Sequence, residues 1–431
     1  MINRPASDLL ALLAITTLAA CSSPESTDTA DGTWVGTITT EGNVTTVVNE
    51  SGSVWGGTAT LVEEASIGVE LGAEEYMFGQ ITALYATDDE IYVLDNSVSK
   101  VRVYDLEGNH LRSFGRKGQG PGELGRIAFE VAVGPDGRIF VGDLSNRRVN
   151  IYSPEGEALD EIPFSAGEAT CCGGYFRFVL ADGGGVWLRV RATDSDSGVV
   201  RTGARIHTID GPIGETLWPP ELEYDRRFVR TASGEEYDSV PFAASLQWAL
   251  GHDESLIVGA SDRYEFQIID PNGSTTMVER TWDPTPVGAA EADYWRRLTI
   301  ALLGNRELSW NGENIPDHKP AYSLITPTLS GELWLTRSGP ASPADCALTP
   351  EAMIDELRRD PFAFQMPECV SGVNSFDVFD SAGRFLGSVE DLPHFAKPFI
   401  SGDTVVASAQ DEAGTIMVKR YRLVLPGEGT P

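Results

Sequence analysis

Ile91-Tyr92-Val93-Leu94-Asp95 recurs 48 residues later as Ile139-Phe140-Val141-Gly142-Asp143. At the same offset Val101-Arg102-Val103-Tyr104 becomes Val149-Asn150-Ile151-Tyr152, and the turn Leu106-Glu107-Gly108 becomes Pro154-Glu155-Gly156. Each unit alternates apolar and polar residues over short runs separated by x-Gly turns. That pattern specifies antiparallel hairpins rather than helices. A fixed period of this length marks a chain built from repeated supersecondary units.

Weaker copies follow. The third pairs Val186-Trp187-Leu188 with Ile206-His207-Thr208-Ile209, the fourth Leu256-Ile257-Val258 with Phe266-Gln267-Ile268-Ile269. The fifth pairs Leu333-Trp334-Leu335 with Phe376-Asp377-Val378-Phe379, the sixth Thr404-Val405-Val406-Ala407 with Ile416-Met417-Val418. Six four-stranded sheets imply radial repetition, which leaves few exposed edges. The stretch Gly115-Arg116-Lys117-Gly118-Gln119-Gly120-Pro121-Gly122, followed by Val131-Ala132-Val133, Pro135-Asp136-Gly137, Asp143, Asn146, Arg148-Val149 and Tyr152, resembles an NHL repeat. Blade one departs from it at Val98 and Lys100, and blades three to six keep only pattern and turns. The resemblance implies an all-β, six-bladed propeller in which a strand near Thr58–Val69 closes the last blade, with short helices in the insertions. The Gly115–Gly122 run lacks a following Gly-Lys-Ser/Thr and a strand–loop–helix context, so it reads as an inter-blade turn and not a phosphate cradle. Asp95, Asp143 and Arg148 read as turn and blade-packing groups.

The N-terminus reads as an address. Arg4 precedes an apolar run, Leu9 to Ala20, too short for the about 20 residues that span a bilayer. It ends in Leu18-Ala19-Ala20-Cys21, which resembles the box of bacterial lipoprotein precursors, cut before the cysteine and lipidated on its thiol. Asp8 offsets Arg4, a departure from the usual basic start. The domain reading is a signal peptide over 1–20, a flexible Ser/Thr/Asp-rich tether over 21–31, a β extension over 32–57 and the propeller over 58–431. The expected location is the cell envelope, on the periplasmic side or at the outer-membrane surface. Export places Cys171, Cys172, Cys346 and Cys369 in an oxidising compartment. Of the three connectivities, Cys346–Cys369 is favoured, worth roughly 3 kcal/mol of loop entropy. Cys171-Cys172 can form a vicinal bridge or stay reduced.

The chain has 431 residues and carries 32 Lys+Arg against 64 Asp+Glu, a formal charge of −32. Such a surface excludes nucleic-acid binding through a basic face and leaves the lipid anchor as the one route to a membrane. Its hydrophobic content of 41% is that of a folded, soluble chain.

All four long segments, 193–202, 220–241, 284–320 and 338–372, fall on the face that carries the second-to-third-strand loops and the blade-to-blade connections. The other face keeps tight turns. Helices are expected over Ala289–Leu303 and after Thr349, with Pro350 at its first position. Long loops gathered on one side of a rigid scaffold carry binding. The channel mouth is assigned to Gln80, Glu130, Arg177, Gln247, Tyr322 and His394 from the inner strands, with Arg189 or Arg191 and Arg337 from the second strands. Tyr294 and Trp295 supply aromatics on the same face. Six-bladed lactonases hold Ca²⁺ in this channel. With Glu130 the one entrance carboxylate here, no metal and no cofactor are expected. The arginines suit a carboxylate or phosphate, or pair with Asp95, Asp143 and Glu130. The expectation is a monomeric binding propeller for a protein, peptide, glycan or small anionic ligand. A lactonase- or lyase-like enzyme and a structural envelope protein are the alternatives.

Overall fold

The computed structural model describes residues 34–428 apart from 166–178, 182, 194–199, 232–235, 303–307, 310–313, 344–345, 347–348, 360–367, 373, 391, 393–397 and 412. Five blades are contiguous in the chain and span residues 81–114, 128–163, 179–217, 246–280 and 324–389. Each is a four-stranded antiparallel meander, numbered blades 1 to 5 in that order. Blade 6 takes three strands from the C-terminus, Phe399–Ser401, Thr404–Gln410 and Ile416–Val424. Its outer strand is Thr58–Ile67, which runs antiparallel to Ile416–Val424 from Thr60↔Val424 to Ile67↔Val418. The ring is thus closed by a strand from the other end of the chain, as the resemblance to NHL repeats implies. The strand ends at Ile67, where Gly68 turns the chain at φ +137°.

The β extension has a position that no local pattern specifies. Val35–Glu41 and Val44–Ser51 form a hairpin added to the rim of blade 4, with Val44–Asn49 parallel to Thr275–Arg280. Asn49 is buried at the seam. Its Oδ1 accepts from Trp34 Nε1 and from the Phe385 amide, both at 2.8 Å, and its Nδ2 donates to the carbonyls of Glu279 and Gly383. The chain then bonds along the rim of blade 5, through Val54 N to Phe385 O and Trp55 N to Leu386 O, before entering blade 6. One continuous N-terminal segment therefore edges blades 4, 5 and 6, and covers strand edges that would otherwise stay unpaired.

Blade-to-blade packing explains the glycines of the third-to-fourth-strand turns. Gly156 has φ +92°, and a Cβ there would lie 2.6 Å from Phe114 on the outer strand of blade 1. Gly383 has φ +85° and would meet Val278 on the outer strand of blade 4 at 2.5 Å. Only glycine offers both the left-handed backbone and the missing side chain. The polar residues of the repeat are equally structural. Asp95 is fully buried, accepts from the amides of Gly79, Gln80 and Ser97, and pairs with buried Arg102 at 3.1 Å. Asp143, 48 residues on, accepts from the amides of Gly125 and Asn146. Arg148 and Asn146 donate to the carbonyls of Gly120 and Gly118 and so hold the glycine-rich run as an inter-blade turn.

Candidate functional site

The insertions build a cap on the loop-rich face. Helix α1 spans Ala289–Leu302, α2 Pro350–Arg359 and α3 Glu368–Ser371. Thr349 caps α2, its Oγ1 accepting from Ala352 N at 3.3 Å, and Pro350 occupies the first helical position. The Cys346–Cys369 disulfide is formed and sits against Tyr294, Leu298, Met353, Ile354 and Val370, the apolar seam of α1 and α2. Trp295 extends this seam to Val229, Val240 and Ile315, beneath a small sheet of Phe228–Thr231, Glu236–Ser239 and Leu308–Ser309. Lys319 and Glu291, both almost wholly buried, pair at 2.7 Å and join α1 to the connection entering blade 5. Lys319 also donates to Gly339 O at 2.6 Å. Phe242, a non-glycine at φ +62°, lies edge-on to Trp295 and 5.1 Å beneath the Lys319 ammonium. Left-handed backbone at a bulky residue is strained and persists only where packing enforces it.

Beside the cap a groove of about 1170 Å³ opens between blades 3 and 4. Its floor is Trp248 on the inner strand of blade 4, with the Arg189 guanidinium 4.8 Å over the indole. The indole N–H donates to Thr202 Oγ1 at 3.1 Å, and Arg189 reaches the same hydroxyl at 3.4 Å. Burial pushes Arg189 below the ordinary guanidinium value, since desolvation disfavours the charged form. Arg201 lies 5.5 Å over Trp218 and 3.7 Å from Glu221. Arg226 lies 4.9 Å over Tyr224, and no carboxylate among the described residues comes within ion-pair distance of it. Arg227 is tied to Asp225 at 2.8 Å and to Asn314 O at 3.0 Å. Among the described residues the lining holds four arginines, Arg189, Arg201, Arg226 and Arg227, against two carboxylates, Glu221 and Glu223. On a chain of net charge −32 this is a local reversal of sign.

The assigned channel-mouth residues do not converge. Arg189 lines the groove, and Gln247, half-buried next to Trp248, donates to Ser245 Oγ at 2.7 Å. Arg191 is exposed near the end of the strand Gly185–Thr193 and is not part of the groove lining. Tyr322 is a correction. It is fully buried between blades 4 and 5, with its hydroxyl donating to Glu265 O at 2.7 Å. Gly259 admits the ring, since a Cβ there would sit 2.1 Å from the Tyr322 hydroxyl. Arg337 is a second correction. It pairs at 3.6 Å with Asp377, a buried carboxylate on the next strand, and not with Asp95, Asp143 or Glu130. Tyr294 and Trp295 pack the cap and are not presented to a ligand. Glu130 is buried inside the ring and not at its mouth. It lines a cavity of about 10 Å³, narrowed by Tyr85 and Phe399 at 4.7 Å, room for about one water. Cys21, Arg177 and His394 lie outside the described residues.

The tight-turn face carries a hollow of about 520 Å³ beside His252, Asp253 and Asp270. The two carboxylates there cap their own turns, through Ser255 and Ser274. Among the described residues no three His, Cys, Asp or Glu side chains are grouped to hold a metal ion, and no helix is long and apolar enough to cross a membrane. The sequence missed the groove because its arginines come from three separate segments. The clue that was available is the local run Glu221–Phe228, where Arg226, Arg227 and Tyr224 crowd one connection.

Fold and site together define a six-bladed β-propeller with a disulfide-bonded helical cap beside an arginine-lined groove. A family model, DUF5128, described as a 6-bladed beta-propeller, matches residues 72–174. Among solved structures the chain is similar to a member of the duf4221 family from Bacteroides vulgatus, at 13% identity and TM-score 0.48, covering 86% of this chain and 99% of that one. It is also similar to virginiamycin B lyase from Staphylococcus aureus, at 12% identity and TM-score 0.35, covering 80% and 95%. A third is BamB from Moraxella catarrhalis, at 11% identity and TM-score 0.32, covering 84% and 99%.

Proposed function

We propose that this chain is a lipid-anchored, extracytoplasmic binding propeller of the NHL-repeat-like type, which receives an anionic ligand in the groove between blades 3 and 4. The observation that carries the reading is the set of arginines stacked on Trp248, Trp218 and Tyr224 beside one large cleft. Arg226, exposed and set over Tyr224, can offer its guanidinium fork to a carboxylate or phosphate. The cleft exceeds the roughly 300–1,000 Å³ of small-molecule sites, which favours an extended ligand.

Binding is testable through Trp248 fluorescence, titrated with dicarboxylates and acidic peptides. Arg226→Glu is expected to weaken the strongest of these by about tenfold or more, because it replaces an exposed cation with a like charge. Asp136→Lys, on the opposite turns, is expected to leave binding unchanged. Equal losses from both variants would remove the groove as the site.

The anchor rests on Leu18-Ala19-Ala20-Cys21 followed by Ser22. In a diderm bacterium the full-length chain is expected to fractionate with membranes and to carry acyl chains on Cys21, by mass spectrometry. Cys21→Ser is expected to abolish acylation. An unacylated, soluble wild-type protein contradicts the anchor.

A further inference from the structure

We propose that the seam between blades 1 and 2 binds ordered water, held by the Asn150 amide and the Arg148 Nε–H. Both side chains belong to Arg148–Tyr152, the third strand of blade 2, whose alternation puts Arg148, Asn150 and Tyr152 on one face. That face meets blade 1: the Tyr152 ring lies 4.8 Å from Phe114, and its hydroxyl donates to Gly122 O. Asn150 is 1% exposed, yet neither its Nδ2 nor its Oδ1 finds a hydrogen-bond partner among the described residues. The buried Nε–H of Arg148 finds none either. The other nitrogens of Arg148 are engaged, Nη1 by Glu161 and Nη2 by the carbonyls of Gly120 and Glu123. Both blades are described throughout, over residues 81–163. Burying an amide or a guanidinium N–H with no partner is costly, so the three atoms together point to a ligand.

The repeat shows what the ligand replaces. Asn150 stands where blade 1 has Arg102, and each faces the outer strand at the matching place, Arg102 opposite Ser113 and Asn150 opposite Glu161. Arg102 Nη1 donates to Met77 O at 2.8 Å and to Asp95 at 3.1 Å, and its guanidinium lies 5.3 Å from the centre of the Phe78 ring. Asn150 is a shorter side chain and makes no such bonds. Asp143, the counterpart of Asp95, instead takes the amides of Gly125 and Asn146 and the Asn146 side chain. The donor set selects water. Water can give to Oδ1 and accept from Nδ2 and from Nε, whereas a halide can meet the donors alone and leaves Oδ1 unmet. Glu161, opposite Asn150 and 46% exposed, adds an acceptor and a route to solvent. Two to four polar partners is the usual complement of an internal water.

The test is a high-resolution crystal structure of the full chain, grown with bromide as the halide. Water density is expected about 2.7–3.2 Å from the Asn150 amide groups and from Arg148 Nε, with no anomalous bromide peak beside them. In solution, Asn150→Leu is expected to lower the oxygen-17 relaxation dispersion amplitude by about one or two long-lived waters, because leucine offers neither donor nor acceptor. Density missing from either side chain, or a direct bond from Asn150 to another protein group, overturns the proposal. An anomalous peak overturns it in favour of a halide. An unchanged dispersion amplitude in a folded Asn150→Leu variant overturns it as well, and where that variant does not fold the wild-type density decides.

Discussion

Asp377→Ala is expected to lower the unfolding free energy by about 3–5 kcal/mol, the cost of breaking a buried ion pair on one side. Asp377 is fully buried on the third strand of blade 5. Its carboxylate accepts from the Tyr264 hydroxyl at 2.6 Å and from Ser388 Oγ at 2.8 Å. Arg280 lies 3.1 Å away and Arg337 3.6 Å. Arg280 also stands 3.8 Å over the Phe385 ring, so it is held from both sides. Burial, with Asp377 adding to it, pushes the Tyr264 phenol well above its ordinary value, so the phenol stays a neutral donor at physiological pH. Alanine would leave that donor and the Arg280 charge without their acceptor at the seam of blades 4 and 5. Urea unfolding checks the size of the effect. A loss under about 1 kcal/mol would mean that both arginines reach solvent in the variant and that the seam is held by its aromatic packing alone.

Lys319→Met is expected to destabilise the cap by a comparable amount, about 3–5 kcal/mol, because it strands Glu291 in an apolar setting. The pair is buried on both sides and ties α1 to the connection that enters blade 5. The loss is expected to be local: amides of α1 should exchange with solvent faster while blades 1 and 2 keep their protection, measured by hydrogen exchange. Combining Lys319→Met with Glu291→Leu is expected to recover most of the stability, since apolar replacement of a buried pair is often neutral. Failure of the double variant to recover would show that the Lys319 bond to Gly339 O, not the ion pair, holds the cap.

Blades 1 and 2 were legible because their strands repeat at one offset and even the left-handed residues Ser99, at φ 53°, and Arg147, at φ 55°, keep it. Blades 3 to 6 diverge in residues but keep period-two burial, as in Glu265–Ile269 and Phe385–Val389, so pattern alone carried them. Helices α1 and α2 and the disulfide were legible because helix patterning, caps and cysteine spacing are local signals, whereas α3 carried none. Side-chain direction was not. Tyr322 precedes its strand and turns back into blade 4 through the space at Gly259. Arg337 and Asp377 meet across paired strands 40 residues apart in the chain.

By itself the sequence determined the repeating hairpin and the number of blades, because hydrogen-bonded sheets with alternating faces impose a short-range periodicity that survives divergence, and its resemblance to NHL repeats implied the strand that closes the ring. Only the tertiary structure decided the rest. It placed the hairpin 35–51 on blade 4, since any exposed strand edge could have taken it and Asn49 selects one seam through bonds to residues more than 200 positions away. It also assembled the groove, whose Arg189, Arg226 and Trp248 share no spacing rule. They meet because two neighbouring blades and one connection bring their side chains to a common cleft, and such long-range contacts leave no local signature for a single chain to display.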